Sequence, residues 1–593
     1  MSNRPLLILY GSETGCAQDV AETIGRQGWR RHFRTRVIAM DDYDKAELVE
    51  ESLVIFVCST TGKGEEPYNM KKLWRFLLRK NLPPGILNHL NCAVFGLGDS
   101  SYVKFNFPAK KLHKRLQQLG ANMLCHRGDG DDQHYQGLDG ALIPWLENLW
   151  DRIMTKYPLP DGMKPIADDS DICKFISGEV ALNGESTYMP GEFDAVVKSN
   201  DRITATDHFQ DVRHFVLSNE SGDLAYNPGD VAVITPQNLP EDVDAFLEQM
   251  EWTHLADKHI RILPANDGRK LSPRWPAVMT FRELFIHHLD VFGVPRRSFF
   301  EMLAFFTNDG NHVERLREFT TPEGQDDMLA YCQRPRRTIA EVLFDFKPCV
   351  IPLNYVLDLF PALQPRSFSI ASSLKAHKNE IHLCIAIVKY KTKMRKIRRG
   401  VCTKWLATLQ PGDLIRRMHI VKGTMSLPPP EVPLIAIGPG TGVAPMRSFL
   451  EERVLDHATG TYESEVNGLN GLCIGNVLLF GCRYQMKDYI YKDQWENYAD
   501  ERRLTVFTAF SRDQDEKLYV QDRIREHSAF LWNLIDMEGA KVLLSGSAGK
   551  MPDQVAYAFK QIFMKEGGLD ADQAENYFST MVKTGQYQDE CWS

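Results

Sequence analysis

Apolar positions along the first third of the chain fall into two kinds of pattern. "LLILY", "LVIFVCST" and "CAVFGLGD" are continuous apolar runs, and the stretches between them repeat apolar residues every three to four positions. Continuous runs suit strands buried on both faces, so residues 1–152 predict a parallel sheet wrapped by helices. Beyond "WLENLWDRIM", the segment "KYPLPDGMKPIADDSD" is rich in Pro, Gly and Asp and predicts a linker over 153–175. From 176 to 430 the strand-like pieces "FDAVVKS", "RHFVLSN" and "DVAVITP" precede a largely helical insertion, about 240–345. Strands resume at "RSFSIASS" and "IHLCIAIVKY". Over 431–593 the α/β alternation returns, with strands at "VPLIAIG", "NVLLFGC", "LTVFTAF" and "KVLLSGSA". The expected class is multidomain α/β, because 593 residues exceed a single core.

Composition narrows the function. With 43% apolar and 25% charged residues the chain is ordinary for a globular protein, and a net charge of −8 argues against a nucleic-acid partner. The 12 cysteines contain no CxxC pair, so neither a disulfide framework nor a metal site is predicted. The first apolar run is too short for a signal peptide, and no run reaches the length of a membrane anchor. A cytoplasmic chain is expected.

Three strand ends carry the first candidate site. In "LLILYGSETGCAQDVAETI" a turn containing Ser12, Thr14 and Gly15 leads into a helix, where backbone N–H groups can converge on an anion. An ordinary helix cap would look the same. The turn lacks the Gly-Lys-Ser/Thr ending of a triphosphate loop, so one terminal phosphate fits better. "STTGKGEEP" and "GLGDSSYVKFN" also follow strands, which gathers all three loops at one sheet edge. Gly62 lets backbone approach a ring and Tyr102 offers a stacking face. Together these loops describe a site for FMN.

Two further sites are written downstream. "RSFSIASS" places Arg366, Phe368 and Ser369 on one strand: a cation for a pyrophosphate, an aromatic for a ring, and a small hydroxyl. "RRGVCTKWL" adds a second glycine-capped helix start. "LIAIGPGTGVAPMRSF" is a strand, a glycine turn and a helix, fit for a dinucleotide. Past another strand come Ser511, Arg512, Lys517 and Tyr519, where NAD sites usually carry a carboxylate; basic residues there favour NADPH. The chain ends in "QYQDECWS". Its Trp592 either packs the tail onto a neighbouring domain or covers a flat ring.

Residues 1–150 resemble a flavodoxin domain. That resemblance implies that FMN is lined by Ser12, Glu13, Thr14, Gly15, Cys16 and Ala17, and by Ser59, Thr60, Thr61 and Gly62. It adds Leu97, Gly98, Asp99, Ser100 and Ser101, then Tyr102, Val103, Lys104, Phe105 and Asn106, with Asp132. Where the family often has an aromatic in the middle loop, this chain has Thr60, Thr61 and Lys63. Residues ~176–593 resemble the ferredoxin–NADP reductase module, and the whole chain resembles the diflavin reductases. This implies FAD at Arg336, at Arg366, Ser367, Phe368 and Ser369, and at Gly400, Val401, Cys402 and Thr403. It implies NADPH at Thr441, Ser511, Arg512, Lys517, Leu518, Tyr519, Val520, Gln521 and Asp553.

In that family the penultimate aromatic stacks on FAD and moves aside for nicotinamide, a position Trp592 matches. Ser369, Ser545, Glu590 and Trp592 are the candidates at the hydride step, although relatives often have Cys and Asp where Ser545 and Glu590 stand. The resemblance implies electron flow from NADPH to FAD to FMN to a one-electron acceptor. It is closest to the branch serving the anamorsin/Dre2-type protein of cytosolic iron–sulfur cluster assembly. Another acceptor (a haem protein, sulfite reductase) or a non-catalytic role in cell-death control are the alternatives.

Overall fold

In a computed structural model the chain is described over residues 4–62, 64–102, 104–166, 175–179, 191–219, 222, 224–264, 275–276, 278–392, 395–458 and 475–592. It divides into two compact units. The first comprises Met1–Thr187, Gln237–Gln364 and Thr392–Arg395; the second comprises Tyr188–Pro236, Pro365–Lys391 and Lys396–Ser593.

The first unit contains the expected parallel sheet, in the order Arg34–Ala39, Pro5–Gly11, Leu53–Ser59, Asn91–Gly98 and Asn122–Met123, with Gly128–Asp131 also pairing to Asn91–Gly98. Alternate residues of each run face opposite layers. Leu6, Ile8, Ile55 and Val57 pack against helices Cys16–Arg30 and Asp139–Lys156, while Leu7, Leu9, Val54 and Phe56 pack against Lys71–Leu77 and Phe107–Gln118. Two buried faces explain why the runs are continuously apolar.

The 240–345 stretch contributes helices Pro240–Gln249, Phe281–His287, Arg297–Leu303, Gly310–Glu318 and Ile339–Asp345 around an aromatic core that includes Phe246, Phe285, Phe300 and Phe360. It is not purely helical. His259–Pro264 pairs antiparallel with both Val278–Thr280 and Phe175–Glu179, so a small sheet ties this stretch to the residues after the flavodoxin-like part.

The second unit begins with a six-stranded antiparallel sheet, in the order Arg366–Ser369, Val231–Ile234, Leu414–Val421, Phe193–Arg202, Val212–Asn219 and Glu380–Ala386. Its ends meet through the Ile370–Leu383 bridge and the Ala371 N–H donating to His382 O at 2.8 Å, which closes a barrel. Closure removes most of the exposed edge that an open sheet would present.

A five-stranded parallel sheet follows, in the order Thr505–Phe510, Asn476–Cys482, Leu434–Ile437, Lys541–Ser547 and Tyr587–Trp592. The tail is thus the edge strand of a sheet. Barrel residues Val212, Ala371 and Cys384 share one core with Phe449, Phe480 and Trp495 of the parallel-sheet part. Among the described residues, no helix is long and apolar enough to cross a membrane.

Candidate functional site

The first loop is held by hydrogen bonds of the chain itself. Gly15 sits at the N-cap of Cys16–Arg30 with φ 87, a left-handed conformation that side chains resist. The Ser12 hydroxyl accepts from the Gly15 N–H at 2.9 Å, and the Ser12 N–H donates to Asn69 Oδ1 at 2.8 Å. Glu13 turns inward, accepting from the Tyr68 N–H at 3.1 Å, and burial raises its carboxyl pKa. Thr14 Oγ1 lies 3.6 Å from Cys16 Sγ, and the Thr14 carbonyl accepts from Arg296 Nη2 at 2.9 Å. Ala17 is buried beneath the helix start.

The other two strand ends come to the same edge. Ser59 ends its strand, and the Thr60 N–H donates to Leu97 O at 2.8 Å. Thr61 bridges to Glu65 around Gly62. Gly98 closes the next strand. Asp99 Oδ1 accepts from both the N–H and the hydroxyl of Ser101, while the Ser100 N–H donates to Asp131 Oδ1. Tyr102 is half-buried, Lys104 packs on Gly64, and Phe105 leads to Asn106, whose Nδ2 donates to Gly130 O at 3.1 Å. The Asp132 N–H donates to Gly98 O at 2.9 Å. Val103 lies outside the described residues. The buried Thr60 Oγ1 has no hydrogen-bond partner, which marks a polar position a bound group would complete. The edge fits FMN.

Arg336 belongs to the first unit, with φ 55, and its charge acts on Asp132. The resemblance placed these two residues on different flavins. The remaining residues expected at FAD belong to the second unit. Arg366–Ser369 is an end strand of the barrel sheet, with Arg366 and Ser367 exposed and Phe368 and Ser369 half-buried. Gly400 caps Val401–Leu406, where the Thr403 hydroxyl accepts from the Val388 N–H at 3.0 Å. Burial pushes the Cys402 thiol up to about 12, so it packs as an apolar side chain. An exposed cation beside a half-buried aromatic and hydroxyl fits FAD.

The hydride-step candidates all belong to the second unit. Ser545 and Glu590 are direct partners across two parallel strands, and Trp592 is opposite Ser547. Glu590 Oε2 accepts from the Thr424 hydroxyl at 3.1 Å; Thr424 lies just past the barrel strand Leu414–Val421. That strand pairs with Val231–Ile234, which in turn pairs Val231 with Ser369. The Trp592 carbonyl accepts from the Ala548 N–H at 2.8 Å, so the backbone is fixed while the side chain stays 41% exposed. The fully buried Ser545 Oγ has no hydrogen-bond partner.

The residues expected at NADPH lie at the carboxyl edge of the same sheet. Thr441 is in the turn Gly440–Gly442. A Cβ at Gly442 would stand 2.1 Å from Ser545 O, so only glycine permits the turn to lie against that strand end. The Ser511 N–H and hydroxyl both donate to Cys482 O, and the Arg512 N–H donates to Arg483 O at 2.9 Å. Arg512, Lys517 and Tyr519 are exposed, Leu518 is half-buried, and Val520 and Gln521 open the buried start of Val520–Glu526. Gln521 Nε2 donates to Gln554 Oε1, beside Asp553 in the first turn of Met551–Gly567. An orphaned hydroxyl, a glycine turn and exposed cations at one edge fit NADPH.

Asn69, Arg296 and Thr424 support these loops, yet the sequence carried no local sign of them. Their hydrogen bonds reach across 57, 282 and 166 residues. Arg483 was also missed, although its place directly after a strand was a usable signal.

Family models match in chain order: flavodoxin over 8–145, an FAD-binding domain over 189–405 and an oxidoreductase NAD-binding domain over 436–556. The chain is 44% identical to NADPH-dependent diflavin oxidoreductase 1 of Danio rerio and 42% identical to that of Xenopus laevis, each over 100% of both chains. It is 37% identical to the Schizosaccharomyces pombe protein of the same name, again over 100% of both. End-to-end identity of this kind, on top of three strand-edge sites in matching order, makes the chain a member of the NADPH-dependent diflavin oxidoreductase family.

Proposed function

We propose that this diflavin reductase delivers its electrons to an anamorsin/Dre2-type iron–sulfur protein in the cytoplasm. The supporting observation is the full-length match to one branch of the family, NADPH-dependent diflavin oxidoreductase 1. The protein carries electrons from NADPH to FAD to FMN: the nucleotide supplies a hydride, and the two flavins turn that pair into single electrons.

The work of the chain is positioning and shielding. The Ser12–Ala17 turn and the start of its helix hold the FMN phosphate, and the loops at Ser59–Gly62 and Leu97–Asn106, with Asp132, enclose the ring. Within the second unit, Arg366 and the Gly400–Thr403 helix start would hold the FAD pyrophosphate and Phe368 would face its ring; Arg336, in the first unit, is an FAD residue by the family resemblance alone. Ser369 and Ser545 would present hydroxyls where nicotinamide meets flavin, with Glu590 beside Ser545 on the neighbouring strand. Trp592 covers the FAD ring and yields to nicotinamide. Four pieces divide this work: 1–152 for FMN, 153–175 as linker, 176–430 for FAD with its insertion, and 431–593 for NADPH.

Thr14→Asp tests the order of the relay and the acceptor together. A carboxylate at the exposed Thr14 position would stand in the phosphate cradle and repel the phosphate at close range. Ferricyanide reduction, which can draw from FAD, should largely survive. Stopped-flow reduction of a purified anamorsin-type protein should collapse. Rapid reduction by the variant would show that electrons do not leave through FMN. Failure of the wild type would remove the acceptor and leave the diflavin pathway standing.

A further inference from the structure

Phe209 is 60% exposed on a loop that is otherwise tightly held. The loop joins barrel strands Phe193–Arg202 and Val212–Asn219. Arg202 donates to the carbonyls of Thr204, Ala205 and His208 at 3.1, 2.7 and 3.0 Å. Thr204 Oγ1 donates to Gln210 O and accepts from the Val212 N–H. On the other side, the Ala205 N–H donates to Lys487 O at 2.8 Å, and Lys487 Nζ pairs with Asp207 at 2.6 Å. The loop that carries the ring is therefore fixed against the segment that follows the strand Asn476–Cys482.

Arg483 is the residue it meets. The guanidinium carbon sits 4.1 Å from the centre of the Phe209 ring. The Arg483 N–H donates to Asp488 Oδ2 at 3.0 Å, and its carbonyl accepts from the Arg512 N–H. Among the described residues no carboxylate lies within ion-pair distance of its guanidinium. A guanidinium whose carbon is held over an aromatic face leaves its N–H donors available for an oxyanion. The ring also restricts a side chain that would otherwise lose considerable rotamer freedom on binding. Arg483 follows the strand between the one that leads into the glycine turn and the one that leads into Ser511–Arg512.

We infer that Phe209 is a positioning residue for NADPH, whose ring holds the Arg483 guanidinium toward a phosphate of the dinucleotide. This rests on reading the Ser511–Gln521 loop as the NADPH site. It also gives the barrel a part in reading a nucleotide bound by the neighbouring sheet.

Steady-state NADPH–ferricyanide kinetics on the holoenzyme test it. Phe209→Ala and Phe209→Leu should each raise KM for NADPH by about three- to five-fold while kcat holds, the worth of an exposed cation–π contact. Phe209→Tyr should restore the wild-type KM, since it keeps the aromatic face. In an Arg483→Ala background, Phe209→Ala should add nothing. A rise confined to NADPH assigns Arg483 to the 2′-phosphate, and an equal rise with NADH assigns it to the pyrophosphate.

Wild-type behaviour of Phe209→Leu, or an undiminished Phe209→Ala effect without Arg483, would overturn the inference. If Phe209→Ala fails to hold FAD, the Leu and Tyr variants carry the comparison alone. Arg512→Ala separates the two levels, because loss of a charge-assisted hydrogen bond should raise KM for NADPH by about tenfold or more. That loss with a flat Phe209 series sinks only the positioning role. No effect of Arg512→Ala sinks the nucleotide-site reading beneath it.

Discussion

At the scale of single residues, Trp592 combines two properties that rarely coincide: a backbone locked in a sheet and a side chain left 41% exposed. A tail that merely packed would bury the indole, the largest apolar group available to it. Its neighbour Cys591 is buried, so the strand spends one side chain on the core and withholds the next. Trp592→Ala should slow NADPH turnover and help NADH, shifting the kcat/KM preference by about tenfold, roughly the value of covering an aromatic face. Kinetics with both nucleotides check this, and an unchanged preference would reduce the tail to a packing element. Residues of this kind were legible because each sits where a strand visibly ends. Asn69, Thr424 and Phe209 were not, since each acts on a partner far away in the chain and looks ordinary among its sequence neighbours.

At the scale of elements, the turn Gly440–Gly442 shows two different reasons for glycine. Gly440 has φ +58 with nothing within 4 Å of a built Cβ, whereas Gly442 meets the Ser545 carbonyl oxygen at 2.1 Å and its carbon at 2.7 Å. Backbone cannot rotate away as a side chain can. Gly442→Ala should therefore push the turn off the strand end and cost about 1–3 kcal/mol or more, with weaker NADPH binding. Gly440→Ala should cost about 1 kcal/mol, from conformational strain alone. Thermal unfolding of the two variants, side by side, distinguishes close approach from strain; equal losses would mean that the contact is unimportant. The glycine turn itself was plain in the sequence. Its pressure against Ser545 was not, because it depends on which strand the sheet places beside it.

At the scale of the whole molecule, a buried polar cluster joins the barrel to the parallel-sheet part within the second unit. His382 lies on the barrel strand Glu380–Ala386, and its Nε2 bonds Glu380 at 3.1 Å. Its Nδ1 faces Arg447 Nη1 at 3.2 Å, and since a guanidinium only donates, the His382 proton resides on Nε2. His377 lies tilted against it with ring centres 4.1 Å apart and bonds Glu451, while His214 bonds the Tyr491 hydroxyl at 2.8 Å. Burial, with the neighbouring cationic groups, lowers His382 to about 4 and His214 to about 3. The folded state thus binds fewer protons than the unfolded chain between the ordinary histidine value of 6.5 and these lowered values. Stability is full above about pH 6.5 and is lost as pH falls toward 4, by on the order of 3 kcal/mol for His382. Urea unfolding at pH 7 and pH 5 should show the loss, and His382→Gln, which can keep both hydrogen bonds, should remove the His382 share of it and leave that of His214. A wild-type midpoint independent of pH would refute this account. The sequence by itself determined the strands, most of the helices and the loops between them, because apolar periodicity and turn residues act over a few neighbours. It also placed the candidate residues at strand ends, since phosphate and ring chemistry needs glycines, hydroxyls and cations there. Only the tertiary structure decided that the tail is an edge strand, that Ile370 closes the barrel on Leu383, and that the helical insertion carries strands of its own. Each of these pairs segments distant in sequence, and a pairing energy shared between two such segments leaves no periodic trace in either one.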